Sequence, residues 1–224
     1  MRAGRTRRYT NRRRVVGVAG LTATGLLGTS LSVEPGSAKF YRLTMAAAAT
    51  YVFGGLISGP IPLERAGSDA PSRRRSVFGA VLVGVGTFIV FYLIALVARY
   101  IPILNKAIGS ILGYAHHGAM PLVVMSTLTT GAAEEVYFRG AVYGAVRDGE
   151  SLRPVAVSTT IYALATVATR NPALVLASIV MGALFALQRR SSEGVLAPTV
   201  THLVWGSLML RYLPPLFPAR RQVG

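Results

Sequence analysis

Cysteine is absent from the 224 residues, which excludes disulfides, thiolate metal sites and cysteine nucleophiles. Acidic residues are scarce: eight Asp and Glu stand against 24 Lys and Arg, giving a formal net charge of +16. Charge of either sign is thin, at 14% of the chain, whereas hydrophobic residues make up 52% and mean hydropathy is +0.48. A soluble domain of this length needs far more polar surface. Several uncharged runs approach the ~20 residues that cross a bilayer. The fold class that follows is all-α: a polytopic membrane helical bundle of about seven transmembrane helices, within a range of six to eight.

A pI near 11.3 would point a soluble protein towards nucleic acid. Here the arginines flank apolar runs, where topology and anionic headgroups account for them. The implied partner is the lipid bilayer, and no nucleic acid is expected. The first fourteen residues hold seven Arg and no acid, the composition of a disordered cytoplasmic tail. Val15 to Val33 is the first candidate span. Gly36-Ser37-Ala38 would suit cleavage of a signal, but the run is longer than most signal cores, which favours a retained helix.

Further spans are expected over Leu43–Leu63, with Gly55 and Gly59 spaced for close helix contact, and over Ser76–Ala98. Arg99–Gly118, interrupted by Pro102, Lys106, His116 and His117, suits an interfacial or re-entrant segment. Ala119–Arg147, Pro154–Thr169, Ala173–Gln188 and Val195–Leu213 complete the set. The chain thus divides into a basic tail (1–14), N-terminal helices (15–118), a core (119–213) and a C-terminal tail (214–224). With the N-terminus inside, cytoplasmic segments collect fifteen basic residues and the opposite side eight. The positive-inside rule then predicts a multi-pass protein with a cytoplasmic N-terminus, expected in a bacterial plasma membrane.

Against this background the placement of two adjacent acids matters. Glu134 and Glu135 fall inside the apolar pattern of 119–147, where each charge costs about 2.5–3.5 kcal/mol on insertion scales. On a helix, Glu135 and Arg139 are four apart and can pair on one face. Glu134 points about 100° away, free to act as a general base towards water. A structural ion pair is the bland reading, and it suits Glu135–Arg139 better than Glu134. Gly140 and Gly144 continue the helix at GxxxG spacing, which predicts a helix contact on that face. Trp205 is expected in packing or as an interface anchor.

The string Glu134-Glu135-Val-Tyr-Phe-Arg139 resembles the EExxxR motif of the CPBP family, the CAAX-processing and bacteriocin-processing intramembrane proteases. Tyr162-Ala-Leu-Ala-Thr166, Asn171-Pro-Ala-Leu-Val and Ala197-Pro-Thr-Val-Thr-His202-Leu-Val-Trp-Gly206 follow the order and spacing of that family's later motifs. The resemblance implies an endopeptidase with a polar cavity open to the membrane, acting on a membrane-associated protein or peptide. Glu134 would activate water, Glu135 and Arg139 would shape the site, and His202 would supply a polar group. Two positions depart from the pattern: Thr166 stands where the second motif has His, and Gly206 where the third has Asn or Asp.

Both zinc-dependent and glutamate-dependent mechanisms are associated with such enzymes, and a zinc ion would draw on Glu134 and His202. A catalytic zinc wants three protein ligands; reaching three here would take Glu135 as well and consume the proposed base. The residues therefore favour a glutamate mechanism, with Thr166 and His202 stabilising the oxyanion. His116 and His117 suit solvent or headgroups better than the site. Two rival classes remain: a catalytically impaired pseudoprotease acting as a membrane scaffold or immunity protein, motivated by Thr166 and Gly206, and a small transporter using the Glu pair. The transporter ranks last, because too few other ionisable residues are present to line a path.

Overall fold

In lipid every backbone polar group must be satisfied internally, so apolar runs without proline become helices. The computed structural model describes residues 2–64, 73–147 and 151–218, with side chains from Arg12 onward, and is all-helical over them. The helices are α1 (Arg2–Ser30), α2 (Ala38–Ser58), α3 (Arg73–Ala98), α4 (Pro102–His117), α5 (Met120–Glu134), a π-helical segment (Glu135–Val142), α6 (Tyr143–Val146), α7 (Arg153–Val167), α8 (Pro172–Ser192) and α9 (Leu196–Tyr212). Helix α5, the π segment and α6 run on without a break, as the motif helix.

Local chemistry sets the ends. Ser37 caps α2 by accepting from the Phe40 amide at 3.2 Å. Asn171 caps α8 by accepting from the Leu174 amide at 3.1 Å, and Pro172 occupies the first turn, where its missing amide costs nothing. The same Asn171 side chain donates to the Ala107 carbonyl at 2.7 Å, tying the α7–α8 turn to α4.

α1 and α2 form an antiparallel hairpin, and α2 lies against the motif helix. α7 and α8 form a second hairpin, while α9 packs on α5, α8 and the long helix α3. The main apolar cluster joins Val16 and Ala23 of α1, Ala48 and Tyr51 of α2, and Ala133, Tyr137, Phe138 and Ala141 of the motif helix. Tyr137 donates its hydroxyl to the Val16 carbonyl across this cluster. After α2, an extended stretch is stitched to α9 by the Val195 and Leu196 amides, each 3.0 Å from the Pro62 and Leu63 carbonyls.

Among the described residues three helices, α2, α3 and α8, are long and apolar enough to cross a membrane. α3 is the extreme case: Phe78, Leu82, Ile89, Leu93, Ile94 and Val97 all point outwards. Such a surface is tolerable in lipid and not in water. α9 has only 17 residues, and the motif helix carries its three charges, so neither meets the measure that α2, α3 and α8 meet.

Three expectations change. The basic segment before Val15 continues α1 rather than forming a disordered tail, since Arg is a good helix former and no proline interrupts it. Gly59 is not a helix-contact residue; it ends α2 with φ 143°, a conformation that favours glycine. Gly140 faces Ile61 of the extended stretch rather than a helix, whereas Gly144 lies against the Arg12 side chain of α1, so the expected helix contact is met at Gly144 and not at Gly140. Gly55 does sit at a close helix approach, against Val136 of the motif helix. Residues 65–72, in the segment that the sequence places between the spans Leu43–Leu63 and Ser76–Ala98, lie outside the described residues, as do 219–224 of the C-terminal tail.

Candidate active site

The motif helix changes character at its two carboxylates. α5 ends at Glu134 and the π segment begins at Glu135, a helix type that is frequent at functional sites. Two carbonyls of the π segment are held from outside. Ser158 Oγ of α7 donates to the Phe138 carbonyl at 2.9 Å, and Arg189 Nε of α8 donates to the Arg139 carbonyl at 3.0 Å. Side-chain donors thus brace the irregular turn where it is buried.

Glu135 and Arg139 are completely buried. Arg139 Nη1 donates to Glu135 Oε1 at 3.1 Å, and Nη2 donates to the Gly182 carbonyl at 3.1 Å. The guanidinium carbon lies 4.7 Å from the Tyr162 ring centre and 5.1 Å from that of Phe185. His202 Nδ1 approaches the same Glu135 Oε1 at 2.9 Å, and its ring stacks on Phe185 with centroids 4.7 Å apart. Glu135 is therefore a junction between the motif helix and α9. Breaking a buried pair of this kind leaves an uncompensated charge.

Glu134 faces the other way, as the 100° step between neighbours requires. It lines a cavity of about 250 Å³ together with Tyr162, Thr166, His202, Trp205 and Thr130. Tyr162 Oη donates to Glu134 Oε2 at 2.9 Å. Glu134, Thr166 and His202, three residues from three separate motifs, thus meet around one space, while Glu135 and Arg139 stand behind it. Thr166 Oγ1 donates to the Tyr162 carbonyl at 2.9 Å, within its own helix. The space at Gly206 is open, with nothing near a Cβ placed there.

Neither His116 nor His117 lines this cavity; His116 Nε2 lies 3.1 Å from the Phe217 carbonyl and His117 Nδ1 lies 2.9 Å from that of Gly113. Two contributors escaped sequence reasoning. The hydroxyl of Tyr162 reaches Glu134, where the motif comparison assigned only an aromatic ring. Trp205 packs edge-to-face on Phe91 as expected of a packing residue. It also lines the cavity, and its Nε1, like Thr130 Oγ1, is buried without a hydrogen-bond partner. An indole N–H is a donor that tends to find a partner when buried, but sequence spacing carries no sign of which way it points.

A catalytic zinc does not fit this donor set. Among the described residues no three His, Cys, Asp or Glu side chains cluster to hold a metal. His202 would offer Nε2, its Nδ1 being held by Glu135 in the manner of a metal-ligating histidine, but Thr166 supplies only a hydroxyl. The cavity adjoins a larger apolar chamber of about 490 Å³ between α3, α4, α8 and α9, with Leu31, Phe40, Ser126, Leu174 and Trp205 on the shared wall.

Residues 116–208 match the family model described as Rce1-like, type II CAAX prenyl endopeptidase. The matched stretch covers all five candidate residues. No curated protein and no solved structure shows significant similarity to the chain.

Proposed function

We propose that this membrane protein, whose core carries the type II CAAX prenyl endopeptidase signature of the CPBP family, hydrolyses a peptide bond of a membrane-associated protein or peptide with Glu134 as the base. The observation that carries this reading is the division of labour between adjacent carboxylates. Glu135 is saturated on Oε1 by Arg139 and His202, whereas Glu134 opens on the cavity with a single hydrogen bond, from Tyr162. A base must reach its water, and only Glu134 does.

Glu134 takes a proton from water as the water oxygen adds to the scissile carbonyl carbon. The oxyanion formed accepts hydrogen bonds from donors on the cavity wall. Trp205 Nε1 and Thr130 Oγ1 are candidates because no group of the chain occupies them; His202 adds Nε2–H when its ring is fully protonated. Protonated Glu134 then passes its proton to the amide nitrogen, the C–N bond breaks, and carboxylate and amine products leave. Glu135 and Arg139 position His202 and the π segment. Thr166 contributes to the polar wall, its hydroxyl proton being directed at Tyr162. The mechanism asks for no metal, and the apolar chamber offers room for the hydrophobic part of a substrate.

The test is proteolysis by purified protein in lipid, against a panel of membrane peptides, with and without chelator. Cleavage by wild type that survives chelation and disappears in Glu134→Gln supports the mechanism. Cleavage retained by Glu134→Gln sinks it, and loss on chelation would demand a metal. The open space at Gly206 and the engaged hydroxyl of Thr166 favour a second reading, a scaffold that kept the fold without the chemistry. That reading predicts a bound membrane partner retained by Glu134→Ala and no cleavage by either form.

A further inference from the structure

At one end of the bundle, where α6 stops and α8 ends, lies a separate polar cavity of about 620 Å³. Its wall includes Tyr143, Arg147, Arg189, Arg190, Ser191 and Glu193. Among the described residues, three guanidinium groups and one carboxylate line this single concave space. Arg189 forms the floor: it is 2% exposed, its Nε is fixed on the Arg139 carbonyl at 3.0 Å, and its guanidinium lies over the Tyr143 ring at 5.0 Å. A buried arginine braced on one edge and stacked on a ring is pre-organised, so it loses little freedom when its remaining N–H groups bind an anion. Arg147 is exposed at the rim.

We propose that this cavity binds a phosphate group, either as the headgroup of an anionic phospholipid or as free phosphate. The fork of arginine matches phosphate oxygens in pairs. The volume exceeds what a lone carboxylate needs, leaving room for a polar headgroup substituent, with Glu193 as acceptor for a hydroxyl. The location suits a lipid as well, since α8 is one of the helices able to cross a membrane and the arginines sit at its end. The site is distinct from the Glu134 cavity, and the two share no lining residue.

Native mass spectrometry of the full chain in detergent, titrated with phosphatidylglycerol or with phosphatidylcholine, tests the site. Wild type should retain one phosphatidylglycerol selectively. Arg147→Glu, at the exposed rim, should weaken that binding about tenfold or more, as expected for losing a charge-assisted contact. Arg74→Glu makes the same charge change on α3, outside the cavity, and should leave binding within about twofold. Displacement of the lipid by millimolar inorganic phosphate would identify phosphate itself as sufficient, whereas resistance would identify the lipid headgroup. Equal weakening by the two variants, or equal binding of the zwitterionic lipid, overturns the proposal.

Discussion

The two sides of the motif helix differ in what they leave unfinished. On the packed side, Glu135, Arg139, His202 and Phe185 are locked together, with charge paired, rings stacked and no exposure at Glu135 or Arg139, although Glu135 Oε2 and Arg139 Nε have no hydrogen-bond partner. On the cavity side, Glu134 has one partner, and Trp205 Nε1 and Thr130 Oγ1 have none. Two neighbouring residues of one type thus meet opposite environments because the helix turns between them. Buried polar groups are normally satisfied. Trp205 Nε1 and Thr130 Oγ1 face the cavity that Glu134 lines, whereas the open atoms of the Glu135–Arg139 pair do not line it.

Substitutions on each side should separate the roles. The largest effect is expected at Glu134: Glu134→Gln should lower peptide cleavage by ~10²–10⁴, the range of a lost general base, with the thermal unfolding midpoint unchanged. Arg139→Met should act on the fold instead, destabilising the protein by about 3–5 kcal/mol by leaving Glu135 buried without its cation. Thermal unfolding in detergent measures this, and pairing it with Glu135→Gln should recover part of the loss. If Glu134→Gln unfolds the protein while Arg139→Met does not, the two sides have been assigned the wrong way round. Tyr162→Phe keeps the ring and removes the only hydrogen bond to Glu134; a decrease of about tenfold in cleavage rate is expected, at equal stability. Thr166→Ala should change the rate least, by less than about threefold, because its hydroxyl already donates within its own helix. Thr166→His offers the cavity a donor of the family's type, and an increase in rate would show that position 166 limits the enzyme.

Much of this was legible before any coordinates. Apolar runs broken by Asn171-Pro172 or ending at Pro214-Pro215 gave the helices. The scarcity of acids drew attention to Glu134 and Glu135, and the 100° step separated their directions. The π segment was not legible, because a ring one residue wider than an α-turn leaves no pattern in the order of residues; it depends on donors such as Ser158 and Arg189 from other helices. Nor was the Tyr162–Glu134 bond, which joins positions 28 apart in sequence. The glycine pattern misled for a related reason. Spacing alone does not distinguish a helix partner, as Gly144 finds in α1, from the Ile61 side chain that Gly140 meets.

Helix α3 is exposed over most of its circumference, yet it is not independent of the site. Thr201 Oγ1 donates to the Ala80 carbonyl of α3 at 2.9 Å and accepts from Gln188 Nε2 at 2.8 Å, one residue before His202. Gly84 lets the two helices approach closely beside it, against Val204 and the Thr201 carbonyl. A bilayer whose thickness does not match a long helix is accommodated by tilt. A tilt of α3 would therefore load the Thr201–Ala80 hydrogen bond adjoining His202, which links the long apolar helix to the polar centre.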